Sequence, residues 1–106
     1  MTPKYSLRAV IFRDGDWWVA QLLEYNLATA ARSLEAIPAE LERFLTVQIV
    51  GSLEAGVEPF EDLPKAPQRF WDLYEQSSAQ SRHETRSIKL PEASHASASF
   101  DALIAA

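Results

Sequence analysis

The chain has 106 residues, 47% of them hydrophobic and 24% charged, with a net charge of −5, two histidines and no cysteine. That length and balance predict one globular domain with a modest core, which oligomerisation would help. The acidic excess argues against a nucleic-acid grip and suits a basic partner. The missing thiols exclude a disulfide frame and a thiolate metal site. No apolar run is long enough for a signal peptide or a bilayer span, so the expected location is the cytoplasm and no membrane contact is expected.

Residues 1–4 form a short lead-in. The next stretch, residues 5–24, YSLRAVIFRDGDWWVAQLLE, places two strand-forming runs around Asp14-Gly15. Asp-Gly between apolar runs signals a hairpin, because a type I′ turn needs positive φ at both central residues. With that loop Arg13 faces Asp16, Phe12 faces Trp17, Ile11 faces Trp18 and Leu7 faces Leu22. Leu7, Ala9, Ile11, Trp18, Ala20 and Leu22 then share a core face. Ser6, Arg8, Val10, Phe12, Trp17, Val19, Gln21 and Leu23 share a mixed face. A half-apolar sheet face predicts an interface or a partly solvated surface.

Residues 27–32, LATAAR, predict a short third strand of small residues that lets a helix come close. Leu34, Ile37, Leu41, Phe44, Leu45 and Ile49 recur at three- and four-residue spacing, predicting one amphipathic helix over residues 33–50 that ends near Gly51. Two starts fit. Ser33 reads as its N-cap, with Pro38 deleting one hydrogen bond and bending the first turn; the alternative is a start at Ile37 with Pro38 at the first helical position. Residues 57–67, with three prolines, predict an extended connector. Residues 68–76, QRFWDLYEQ, predict a short helix. Residues 77–84 are polar and expected to be loose, and residues 86–90 can form a brief strand. Residues 92–106, rich in Ser and Ala, predict a flexible tail or a poorly anchored final turn. The expected division is an α+β domain over residues 1–76 and a polar segment over residues 77–106. The expected fold is a three- to four-stranded antiparallel sheet with one helix packed on the core face.

Catalytic and cofactor patterns are sparse. His83 and His95 read as solvated surface groups. No metal-ligand spacing, glycine-rich phosphate loop or nucleophile elbow is present. Asp14 is explained by the turn, Asp16 by Arg13, and Glu61 and Asp62 by a solvated loop. No catalytic residue, cofactor or metal is therefore expected.

The order strand, Asp-Gly hairpin, strand, short strand, then Ser-Leu-Glu-Ala opening a helix resembles the HicB-like antitoxin family. The residues that carry the likeness are 10–19, VIFRDGDWWV, and 33–45, SLEAIPAELERFL, about the first half of the chain. The segment 22–26, LLEYN, departs from the family pattern, and Pro38 interrupts its helix. The resemblance implies a partial ribonuclease-H-like fold without an active site, and binding to a small basic toxin ribonuclease of the HicA-like kind. Residues 86–91, RSIKLP, resemble the start of a DNA-binding ribbon, but too few residues follow for its two helices, which argues against direct DNA binding. From face geometry the expected partner interface is Arg8, Val10, Phe12, Trp17, Val19 and Gln21. Asp14, Asp16, Glu24, Glu61 and Asp62 supply acidic complement, and a homo-oligomer is expected. An orphan self-associating module and a metal-dependent nuclease using the hairpin carboxylates are the rival readings.

Overall fold

The computed structural model describes residues 3–77 and 82–105. Strands β1 (Lys4–Asp14) and β2 (Trp17–Leu22) form the hairpin, and β3 (Ala28–Ala31) adds to β2. Helix α1 (Ile37–Glu54) follows, then α2 (Gln68–Ser77), β4 (Arg82–Ile88), a one-turn 3₁₀ helix at Glu92–Ser94 and β5 (Ser97–Ile104). The strands make one five-stranded mixed sheet in the order β3-β2-β1-β5-β4. β5 runs parallel to β1 and antiparallel to β4.

The fold is α+β, but the expected antiparallel layout of three or four strands does not hold. The segment read as a tail contains β5, an inner strand between β1 and β4. Its alternation explains why. Ala98, Phe100, Ala102 and Ile104 fall on one face, and Phe100 is only 1% exposed. The fourth strand starts at Arg82 rather than Arg86 and ends at Ile88. Of the loose stretch expected over residues 77–84, residues 78–81 lie outside the described part.

The hairpin turn also differs. Asp14 pairs with Trp17, Arg13 with Trp18 and Ile11 with Ala20, so Gly15 and Asp16 form the loop. Gly15 has φ +62, whereas Asp16 does not adopt a positive φ. A glycine at the first central position is what a type II′ turn requires. The register moves by two residues, which keeps every side chain on its expected face because strand alternation has period two.

That parity builds the core. Leu7, Ala9, Ile11, Ala20 and Leu22 pack with Ile37, Leu41, Leu45 and Ile49 of α1 and with Ile88, Ala98, Phe100, Ala102 and Ile104. Trp18, expected in the core, is half-buried and packs against this cluster from its edge. The helix does not start at Ser33 as its cap: it begins at Ile37, the alternative start, with Pro38 in its first turn. A proline is harmless there because the first amides have no helical acceptor. Ser33 instead accepts a bond from the Ala36 amide at 3.2 Å, ahead of the helix. The helix continues past Gly51 to Glu54, and Gly56, at φ +74, follows its end. The connector is anchored by Phe60, which stacks on Tyr25 at 4.5 Å and meets Tyr5 edge-on at 6.0 Å. No helix among the described residues is long and apolar enough to cross a membrane.

Candidate functional site

The sheet face opposite α1 is divided into two halves. Helix α2 lies over β1 and β5. Beneath it, Arg8 pairs with Asp101 across the parallel ladder and Asp101 with Thr85 across the next. Arg8 Nε donates to Glu24 Oε2 at 2.7 Å, and its guanidinium lies 4.8 Å from the Trp71 ring centre and 5.9 Å from that of Tyr74. Asp101 accepts from the Tyr74 hydroxyl at 3.2 Å and from the Thr85 hydroxyl at 3.2 Å, and His83 Nδ1 lies 3.1 Å from it. Burial and the neighbouring Asp101 carboxylate push the Tyr74 phenol up from its usual pKa, so it stays a donor. These bonds fasten α2 to the sheet. They also give His83, which is exposed as the sequence suggested, a carboxylate partner.

The other half lies beside the turn, over β2 and β3. Here Trp17 is 43% exposed, with the Arg32 guanidinium 3.9 Å from its ring centre. Val19 is half-buried and pairs with exposed Ala30. Phe12 stacks on Phe70 of α2 at 5.7 Å, which leaves it half-buried at the border between the two halves. Asp14 and Asp16 flank the turn and are exposed. A shallow hollow of about 320 Å³ runs along α2, lined by Phe70, Leu73, Arg69, Asp72 and Gln76. Aromatic and aliphatic groups bordered by charge are the usual anatomy of an interface core and rim.

Two of the expected interface residues are withdrawn by burial. Val10 is fully buried. Gln21 is 6% exposed, and its amide donates to the Leu22 carbonyl at 3.0 Å, to Asn26 Oδ1 at 3.1 Å and to the Leu27 carbonyl at 3.3 Å. Gln21 therefore shapes the β2–β3 bend. Arg8 keeps exposure but is committed to Glu24 and Trp71, while Phe12, Trp17 and Val19 remain available. The acidic set is also split. Asp14 and Asp16 stand at the turn. Glu24, bound to the Arg8 amide and guanidinium, lies beyond the other end of β2. Glu61 and Asp62 are exposed in the connector, which is tied to that same end through Asn26–Pro64 and Ala66–Leu23 backbone bonds. The expected pairing of Asp16 with Arg13 is replaced by Arg13 with Trp18, the guanidinium 5.8 Å from the ring centre.

Sequence reasoning missed Arg32, Phe70 and the Asp101 cluster. Phe70 had a signal, since it shares a helical face with Tyr74 at i+4. Asp101 had none, because its strand was not recognised. Among the described residues no group of three or more His, Asp or Glu side chains could hold a metal ion. No protein-family model, no curated protein and no solved structure matches the chain.

Proposed function

We propose that the protein is a non-enzymatic binding domain of antitoxin type, which neutralises a small basic ribonuclease of the HicA-like kind by covering its surface. The observation that carries this reading is Trp17, 43% exposed beside Val19 and Phe12 on a sheet face that α2 leaves open. Trp is among the side chains enriched at binding hot spots. Asp14 and Asp16 beside it, and the net charge of −5, suit a basic partner and would steer its approach. The β1-β2-β3-α1 order is the arrangement the HicB-like resemblance implies.

The test is co-expression with a basic protein encoded beside it in its own host, followed by RNA-cleavage and affinity measurements. A co-purifying complex with suppressed cleavage is expected. Trp17→Ala should weaken it by about 30-fold or more, the cost of a hot-spot truncation. Asp14→Asn with Asp16→Asn should slow association and flatten its salt dependence. Unchanged affinity in Trp17→Ala overturns the docking surface. A magnesium- or manganese-dependent nuclease activity that the two Asp→Asn changes abolish overturns the non-enzymatic reading.

A further inference from the structure

The two edges of the sheet are built differently. β4, at one edge, carries Arg82, His83, Glu84 and Arg86, with Arg86 held by Glu84 and Glu42. Charged side chains of this kind block strand addition. β3, at the other edge, reads Ala-Thr-Ala-Ala, with no charge and no proline.

The ladder shows which β3 groups are free. The Leu22 amide donates to the Leu27 carbonyl at 2.9 Å, and Thr29 and Ala31 sit opposite Ala20 and Trp18 in the same register. Hydrogen-bonded pairs recur every second residue in an antiparallel ladder. Thr29 and Ala31 therefore turn their backbone groups toward β2, and Ala28 and Ala30 turn theirs outward. Both are exposed, and among the described residues no loop or turn bonds to their amides or carbonyls. The edge is held in place from behind. The Thr29 hydroxyl donates to Glu40 Oε2 of α1 at 2.6 Å, and Arg43 clamps the same carboxylate.

We propose that this edge pairs with the same edge of a second copy, antiparallel about a two-fold axis at Ala30, to give one continuous ten-stranded sheet. Ala30 then faces Ala30, and Ala28 faces Arg32, whose guanidinium is already stacked on Trp17, with the two Arg32 side chains at opposite ends of the contact. A two-fold contact must be complementary to itself. Methyl side chains neither clash nor oppose like charges, although each copy carries −5 overall. β3 offers no carboxylate and runs into the exposed Arg32, so a basic protein is disfavoured along it, which is why the second copy is the occupant. The two copies repel at long range, and salt shortens that repulsion from about 10 Å at 0.1 M to about 3 Å at 1 M. The pairing should therefore tighten with salt, whereas a contact with a basic protein loosens.

Sedimentation equilibrium of the full chain at 0.1 M and 1 M NaCl tests this. The expected result is a monomer–dimer equilibrium that strengthens with salt. Ala30→Lys sets two cations face to face across the axis and should weaken it at least tenfold, with an unchanged melting temperature under dilute, monomeric conditions. Ala30→Pro removes the outward amide and should act alike; if it unfolds the chain, Ala30→Lys decides. A monomer at all concentrations and both salts overturns the proposal, as does a dimer indifferent to Ala30→Lys. The inference is independent of toxin binding, because Trp17→Ala should leave this equilibrium in place. If Ala30→Lys instead abolishes capture of a basic protein while self-association is absent, the edge belongs to that partner and the proposal fails.

Discussion

Trp18 and Trp17 show what one step along a strand does to a side chain. Trp18 is half-buried against the α1-side core with Arg13 near its ring, and Trp17 projects from the opposite face under Arg32. Trp18→Ala should lower stability by about 2–3 kcal/mol in urea unfolding, below the 3–5 of a fully buried tryptophan because part of the ring is already wet. Trp17→Ala should stay within about 1 kcal/mol of the parent. A Trp17→Ala loss equal to that of Trp18→Ala would contradict the face assignment. The faces were legible from the alternation of Leu7, Ala9, Ile11, Ala20 and Leu22, and they survived a wrong turn because a two-residue slip preserves parity. The burial of Val10 was not legible. It depends on Leu103, its neighbour across the parallel ladder, and on α2, neither of which can be placed from the hairpin alone.

At the scale of elements, α1 and β3 behave as one unit through Glu40. Hydrogen bonds from Arg43 and then Thr29 hold the Glu40 carboxyl down at about 2. A carboxyl depressed on folding contributes stability above its unfolded pKa, near 4.5, and that contribution fades as pH falls toward 2. Acid titration followed by circular dichroism should show this loss between those values, and Glu40→Gln should flatten it. Gly51 gives the opposite kind of test. It lies in α1, exposed, and an added methyl would meet nothing within 4 Å. Gly51→Ala should raise stability by about 0.5–1 kcal/mol, since glycine costs a helix that much backbone entropy. Helix α1 was readable from its apolar spacing, and α2 from its aromatic cluster. β5 was not, because Ser and Ala have poor strand propensity and hid the Phe100 alternation.

The whole molecule is closed by a pairing between its two most distant strands. β1 and β5 contact along eight residue pairs, from Lys4–Ser97 to Ile11–Ile104. Deleting residues 97–106 removes an inner strand and leaves β4 without a neighbour. Such a truncated chain should lose its cooperative thermal transition altogether; a sharp melt retained by it would mean that the first three strands and α1 suffice. Pairing over this sequence distance also carries a loop-closure cost before any contact compensates it, so folding should be slow for a chain of this size.

The direction of β5 has a practical consequence for labelling. Because it runs alongside β1 rather than against it, the Ala105 amide bonds the Ile11 carbonyl, and the backbone leaves the sheet about 10 Å short of the Asp14–Gly15 corner. A fluorophore or affinity tag tethered there would emerge at the turn end of the sheet, one strand across from Trp17, where a guest would dock. One attached ahead of Pro3 would emerge at the far rim, near Tyr5, and leave the aromatic end unobstructed.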